Sequence, residues 1–319
     1  MRKGRIIAFV LFVALSFTVV KALGGERQYA ASGQLATVSE IASSSESALA
    51  SNNDPAMQLP ELSAQGSFAS ANIAAASTSS QCGADVGARL GIVRFLNSDV
   101  NVFDRNGDSR WPIASITKLM TAIVVAEHGD LARQVVITGD MLVEAKDSAG
   151  LQEGQMMTES DLLKAMLSVS SNAAAEALAQ TYGRDAFIKL MNDKAGELRM
   201  LNTSYFDPSG LTPKNQSTPD DLYRLMDYLH IAHPELLTIT RQRRVVITDL
   251  HAHKKHTLTN IDTFAGQNNF VGGKTGYIPE AEGNGNLITL FTVHNQPVVI
   301  GVFGSPDRFG ETKKLLQCI

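Results

Sequence analysis

The chain has 319 residues and a mass of 34.3 kDa, with 44% apolar and 19% charged residues, so it can bury a real core and is not disordered throughout. Its 28 basic and 32 acidic residues leave a net charge of -4, which argues against a nucleic-acid binder. Two cysteines, Cys82 and Cys318, are too few for a disulfide scaffold or a Cys-rich zinc site, and no later apolar run reaches the ~18 residues of a membrane-spanning helix.

Residues 1–24 read as a signal peptide or N-terminal anchor. Arg2, Lys3 and Arg5 form a basic start, and Ile6 to Val20 is an uncharged, mostly apolar run. Either outcome puts the rest of the chain outside the cytoplasm, in the periplasm or cell envelope, with membrane contact through this segment if it is not cleaved. Residues 25–81 follow as a flexible linker: about half of positions 30–80 are Ala or Ser, and no Lys or Arg falls between Arg27 and Arg89. Residues 82–319 suit one α/β domain of α+β type.

Within that domain, Ala88 to Leu96 and Val100 to Arg105 read as short strands before an Asn106-Gly107-Asp108 turn. Ile116 to Glu127 carries an apolar face at helical spacing. Thr158 and Asp161 form a capping signature ahead of a helix through Leu167; Ala173 to Tyr182 and Asp185 to Leu198 are two further helices. Thr218-Pro219 opens a helix to His230. Val245 to Thr248 and His256 to Thr259 suit a hairpin. Asn269 to Ile278, Leu287 to Val293 and Pro297 to Phe303 suit strands, and Arg308 to Leu316 a closing helix. Short turns between the strands imply an antiparallel sheet shared by both ends of the domain, with helices covering it and forming an all-helical lobe.

Three short motifs carry chemistry. In Ser115-Ile116-Thr117-Lys118, a lysine three residues after a serine lies on the same helical face. A serine hydroxyl needs a base, and a lysine is one only when neutral, which burial and a nearby second cation favour. In Ser170-Ser171-Asn172, one serine suits a helix N-cap; Ser170 suits a proton relay, and Asn172 a hold on Lys118 or on a substrate amide. In Lys274-Thr275-Gly276, on a strand, Lys274 and the Thr275 hydroxyl suit a substrate carboxylate. Lys274 also offers the second cation, Gly276 suits close approach of a substrate backbone, and the N–H groups of Ser115 and Tyr277 suit an oxyanion hole.

The three together, in this order, resemble the motif set of penicillin-binding proteins and class A β-lactamases. Pro112 to Ala122, Leu201-Asn202-Thr203, Pro208-Ser209-Gly210-Leu211, Ser217 to Leu222 and Gly273 to Tyr277 are similar to low-molecular-mass penicillin-binding proteins, the serine-type D-alanyl-D-alanine carboxypeptidases and endopeptidases. The resemblance implies the penicillin-binding protein/serine β-lactamase-like transpeptidase fold, with a five-stranded antiparallel sheet. It implies hydrolysis of peptidoglycan stem peptides through a Ser115 acyl-enzyme, covalent inhibition by β-lactams, and no metal or organic cofactor. Catalysis is then expected from Ser115, Lys118, Ser170 and Asn172, and substrate binding from Lys274, Thr275, Gly276 and Tyr277.

The chain departs from the family at Glu280 to Asn286, which is longer and more polar than usual. It also stops soon after the closing helix, where many carboxypeptidases of the family carry a β-domain and a C-terminal anchor; that shortness looks more like the endopeptidase branch. A deacylating Glu-x-x-Leu-Asn is missing: Glu197 to Asn202 is one residue too long for it. A catalytically silent wall-binding protein on the same fold is the first alternative reading, and a class A-like β-lactamase the second. His251, His253 and His256 suit an exposed hairpin better than a metal site, because Lys254 and Lys255 sit among them. Arg241, Arg243 and Arg244 suit a solvated face, with contact to anionic cell wall possible. The pairing of Cys82 with Cys318 is left open by the sequence, and Trp111 suits core or cleft wall.

Overall fold

A computed structural model describes residues 82–96, 98, 101–144, 147–278 and 285–319. The expected signal and linker segments and most of Glu280 to Asn286 lie outside these residues. In chain order the strands are β1 (Leu90–Phe95), β2 (Asn101–Arg105) and β3 (Trp111–Pro112), followed by a 3-10 turn over Ala114–Ile116 and α1 (Thr117–His128). Then come β4 (Gln134–Val136), β5 (Met156–Thr158), α2 (Glu159–Ser168), α3 (Asn172–Thr181), α4 (Arg184–Glu197) and β6 (Gln216–Ser217). The chain continues with α5 (Pro219–Ala232), α6 (Pro234–Arg241), β7 (Arg244–Asp249), β8 (Lys254–Thr259), β9 (Phe270–Tyr277), β10 (Gly285–Val293), β11 (Gln296–Ser305) and α7 (Arg308–Leu316).

The five-stranded sheet has the order β2-β1-β11-β10-β9 and is antiparallel throughout. Its central strands β10 and β11 are buried on both faces, in keeping with their mostly apolar sequences. The period of two sorts their side chains cleanly. Ile92, Ile288, Leu290, Val299 and Phe303 face the helical lobe; Val93, Leu287, Val298, Ile300 and Val302 face α7 with Phe264, Phe270 and Leu315. On that second face Phe264 meets Phe291 edge-on with ring centroids 5.2 Å apart.

Helix starts follow the expected caps. The Thr158 hydroxyl accepts from Asp161 N at 3.0 Å to open α2, and Thr218 accepts from Asp221 N at 3.1 Å to open α5, with Pro219 in its first turn. Helix α6 and the small pairings β3–β6 and β4–β5 were not anticipated. Their strands are two or three residues long, too short for a periodic signal. Helix α1 departs from an amphipathic pattern: every residue from Thr117 to Val125 is buried. It is the central helix of the lobe, and the burial of Lys118 follows from that position.

Cys82 and Cys318 are joined by a disulfide across a sequence separation of 236 residues, with Cα atoms 5.5 Å apart. It ties the residues before β1 to those after α7. A closed loop of this length restricts the unfolded chain by about 5 kcal/mol in the chain-entropy picture, and measured disulfides give roughly 2–5 kcal/mol. Reduction is therefore expected to lower the thermal midpoint by about 5–15 °C; an unchanged midpoint under reductant, with free thiols confirmed by alkylation, would contradict this role.

Candidate active site

Ser115 sits in the 3-10 turn that leads into α1. The residue before it, Ala114, is held at φ +50°, a left-handed conformation that costs an L-residue on the order of 1 kcal/mol. What holds it is Gly210, at φ +84°: a Cβ there would lie 1.9 Å from the Ala114 carbonyl oxygen. On the other side a Cβ on Gly276 of β9 would lie 2.7 Å from the Ile113 carbonyl. Gly276 thus permits a close approach between β9 and the chain's own Ser115 turn.

Lys118 is fully buried. Its Nζ lies 2.7 Å from Asn172 Oδ1, 3.0 Å from Ser115 Oγ, and within hydrogen-bond reach of the Ser209 carbonyl. Asn172 is oriented by its other end, because Nδ2 donates to Glu144 Oε2 at 2.8 Å and a carboxylate only accepts. A neutral amine has two N–H bonds and one lone pair. Two fixed carbonyl oxygens take both N–H bonds, so the lone pair faces the Ser115 hydroxyl. Burial lowers the Lys118 pKa from 10.5 to about 7, against the opposing pull of Asp207, Glu144, Asp147 and Glu176. Burial is the larger cause, and the mutual repulsion between the Lys118 and Lys274 amines disfavours carrying both charges.

The turn that presents the Ser209 carbonyl was missed by the sequence reading, although its residues stand in the family-like Pro208-Ser209-Gly210-Leu211. It winds around the buried Asp207 carboxylate, which accepts from the backbone N–H groups of Ser209 at 2.8 Å and Thr212 at 2.7 Å, and from that of Gly210. Helix α1 grips the same turn, with Thr121 Oγ1 donating to the Pro208 carbonyl at 2.6 Å. Asn215 links it to α1 through Thr117 Oγ1 at 3.1 Å.

Lys274 on β9 is also buried and donates to Ser170 Oγ at 3.0 Å and to the Thr275 carbonyl at 3.1 Å. Burial, then Lys118, holds its pKa well below the ordinary lysine value. Ser170 is strained at φ +62° and turned toward Lys274 rather than Lys118, while the neighbouring Ser171 is the N-cap of α3, accepting from Ala174 N at 2.9 Å. The N-cap of this motif is thus Ser171, Asn172 holds Lys118, and Ser170 is left facing Lys274. Asn286, counted in the departing segment, belongs to β10. Its side chain accepts from Trp111 Nε1 at 3.2 Å and donates to the Pro112 carbonyl at 2.9 Å, which fixes the strand beside the Ser115 turn and makes Trp111 part of the wall.

The cleft that results has a volume of about 380 Å³ and is lined by Ser115, Asn172, Glu144, Leu211, Tyr277 and neighbours. Thr275 is buried, and Tyr277 is exposed among the lining residues. Glu197, by contrast, ends α4, exposed and paired with Lys194 at 2.6 Å. Among the described residues no group of three or more His, Cys, Asp or Glu side chains is placed to hold a metal ion.

A serine on a strained turn, with one buried amine at its hydroxyl and a second buried amine on the Ser170 hydroxyl, is the arrangement of an acyl-transferring serine hydrolase. The comparisons agree with that class. The chain belongs to the S11 peptidase family, D-alanyl-D-alanine carboxypeptidase, whose family model matches residues 76–307. It is 32% identical over 243 residues to a D-alanyl-D-alanine endopeptidase of Pseudomonas aeruginosa, covering 70% of this chain and 74% of that one. It is 31% identical over 257 residues to one of Escherichia coli, covering 77% and 80%. Penicillin-binding protein D2 of Listeria monocytogenes, solved in an ampicillin-bound form, superposes with a TM-score of 0.66 at 28% identity, covering 74% of this chain and 98% of that one.

The packing at Gly210 makes a sharp prediction. Gly210→Ala is expected to slow acylation of Ser115 by about 10²-fold or more, because the serine turn must move. Gly196→Ala, in a helix with nothing within 4 Å of its added methyl, is expected to stabilise by about 0.5–1 kcal/mol and leave acylation unchanged. Acylation kinetics and melting of the two variants check this; equal acylation rates would contradict the account of the turn.

Proposed function

We propose that the protein is an exported cell-envelope enzyme that forms an acyl-enzyme on Ser115 and cleaves D-alanyl crosslinks of peptidoglycan, as an endopeptidase. The observation that carries the chemistry is the position of Lys118 Nζ, buried between the Ser115 hydroxyl and two carbonyl acceptors. The endopeptidase assignment is supported by relatives of that name at 32% and 31% identity over most of both chains.

In this reading neutral Lys118 takes the proton of Ser115, and Oγ bonds to the carbonyl carbon of the D-alanyl residue. The N–H groups of Ser115 and Tyr277 receive the oxyanion. The C–N bond then breaks, and the proton held by Lys118 reaches the leaving amine by way of Ser170, which Lys274 orients. Lys274 and Thr275 receive the carboxylate beside the scissile bond, and water hydrolyses the ester to restore the Ser115 hydroxyl. Export rests on Arg2 to Val20, outside the described residues; none of the described helices is long and apolar enough to cross a membrane.

The test is a denaturing gel of the purified protein treated with a fluorescent penicillin, beside Ser115→Ala, followed by digestion of crosslinked muropeptides. Wild type is expected to carry a covalent label and the variant none, a loss of ~10³-fold or more. Crosslinked dimers are expected to disappear faster than D-Ala is released from pentapeptide monomers. Release of D-Ala with intact dimers would make the protein a carboxypeptidase, and absence of label on wild type would bring forward the silent wall-binding reading.

A further inference from the structure

Residues 241–256 hold Arg241, Arg243, Arg244, Lys254 and Lys255, five of the chain's 28 basic residues, against Asp249, one of its 32 acidic ones. Three of the seven histidines fall in the same stretch. All five cations are exposed, Arg241 at the end of α6 and the other four on the β7–β8 hairpin and the turn that enters it, and Asp249 is buried. Among the described residues none of the five is held in an ion pair; Arg241 makes one long bond, 3.4 Å, to the Asn268 carbonyl. The charge is therefore turned outward, on a chain that is acidic as a whole.

The hairpin is a rigid platform. It is riveted to the helical lobe by two carboxylates: Asp161 Oδ2 accepts from Thr248 N at 2.9 Å, and Asp249 Oδ1 accepts from Met156 N at 3.3 Å. It packs on α2, the helix that ends two residues before Ser170. Just past β8, Ile261 N donates to the Ser168 carbonyl at 3.1 Å. The basic face and the Ser170 side of the cleft are thus parts of one connected unit.

We propose that this hairpin is a docking surface for the peptidoglycan polymer, separate from the cleft, which binds the free carboxylates of stem peptides near the one being cut. The inference rests on the reading of the protein as a peptidoglycan hydrolase. Charge complementarity is the argument for the occupant. The substrate is an immobile polyanion, five unpaired cations on and just before a fixed hairpin raise its local concentration, and the attraction is screened over about 8 Å at physiological salt. An anionic lipid surface is the competing occupant.

The experiment uses the full chain and the variant carrying Arg243→Glu, Lys254→Glu and Lys255→Glu. Co-sedimentation with purified peptidoglycan sacs is measured at low and high salt, beside acylation by a fluorescent penicillin and sedimentation with vesicles rich in phosphatidylglycerol. The expected result is salt-sensitive binding of wild type to the sacs, roughly tenfold weaker in the variant, with the acylation rate unchanged and little binding to vesicles. Lys254→Arg with Lys255→Arg is expected to bind as wild type does, which separates charge from folding. Equal binding of wild type and the triple variant to the sacs would overturn the proposal, as would binding to vesicles that matches binding to the sacs. Failure of the hydrolase reading would show separately, as a wild type that is not acylated.

Discussion

An amine in the first turn of a buried helix has to be satisfied or neutralised, and much of the active-site half of this molecule follows from how Lys118 is accommodated. Removing an ammonium from water costs several kcal/mol even after relaxation. The protein meets that cost by lowering the pKa to about 7 and surrounding the nitrogen with the three partners a neutral amine can use. Two of them are immobile. The Ser209 carbonyl is set by a turn wound on Asp207, and the Asn172 carbonyl by the pull of Glu144 on the other end of the amide. The third, the Ser115 hydroxyl, receives what is left.

The same constraint explains where strain is kept. Ala114 and Ser170 both adopt left-handed backbone, one beside the nucleophile and the other aimed at the second amine. Each is over-determined by neighbours: Gly210 and Gly276 close on the first, and Lys274 holds the hydroxyl of the second. The sheet's role is to hold Lys274 rigidly against Ser170. It does this on β9, a strand paired along its length with the doubly buried β10, whose Asn286 bonds the Pro112 carbonyl just before the Ser115 turn. Strain persists at such sites when the surroundings are stiffer than the strained residue.

Much of this was legible in the residues before the structure. The caps at Thr158 and Thr218, the order of strands and helices, and the three motifs all act locally or repeat with a period, and local signals survive in a sequence. What was not legible depends on distant pairs. Lys118 reads as one face of an amphipathic helix, and nothing nearby in sequence says that α1 is buried all round. Asp207 and Asn286 look like ordinary turn and strand residues until the fold brings Lys118 and Trp111 to them. The disulfide between Cys82 and Cys318 and the role of Gly276 belong to the same class, since both are set by which segments meet. Helix α6 was missed for a different reason: at eight residues it is too short for periodicity to separate from a loop.

The claim at the centre of the account is that neutral Lys118 is the base. The most direct measurement is the second-order rate of acylation of the full-length protein by a soluble β-lactam, followed from about pH 5 to about pH 9. Because the competent form is deprotonated, the account predicts a rate that climbs about tenfold per pH unit below about pH 7 and levels off above it. A rate that is flat through this range, falls as the pH rises, or keeps climbing toward the ordinary lysine pKa of 10.5 would contradict it.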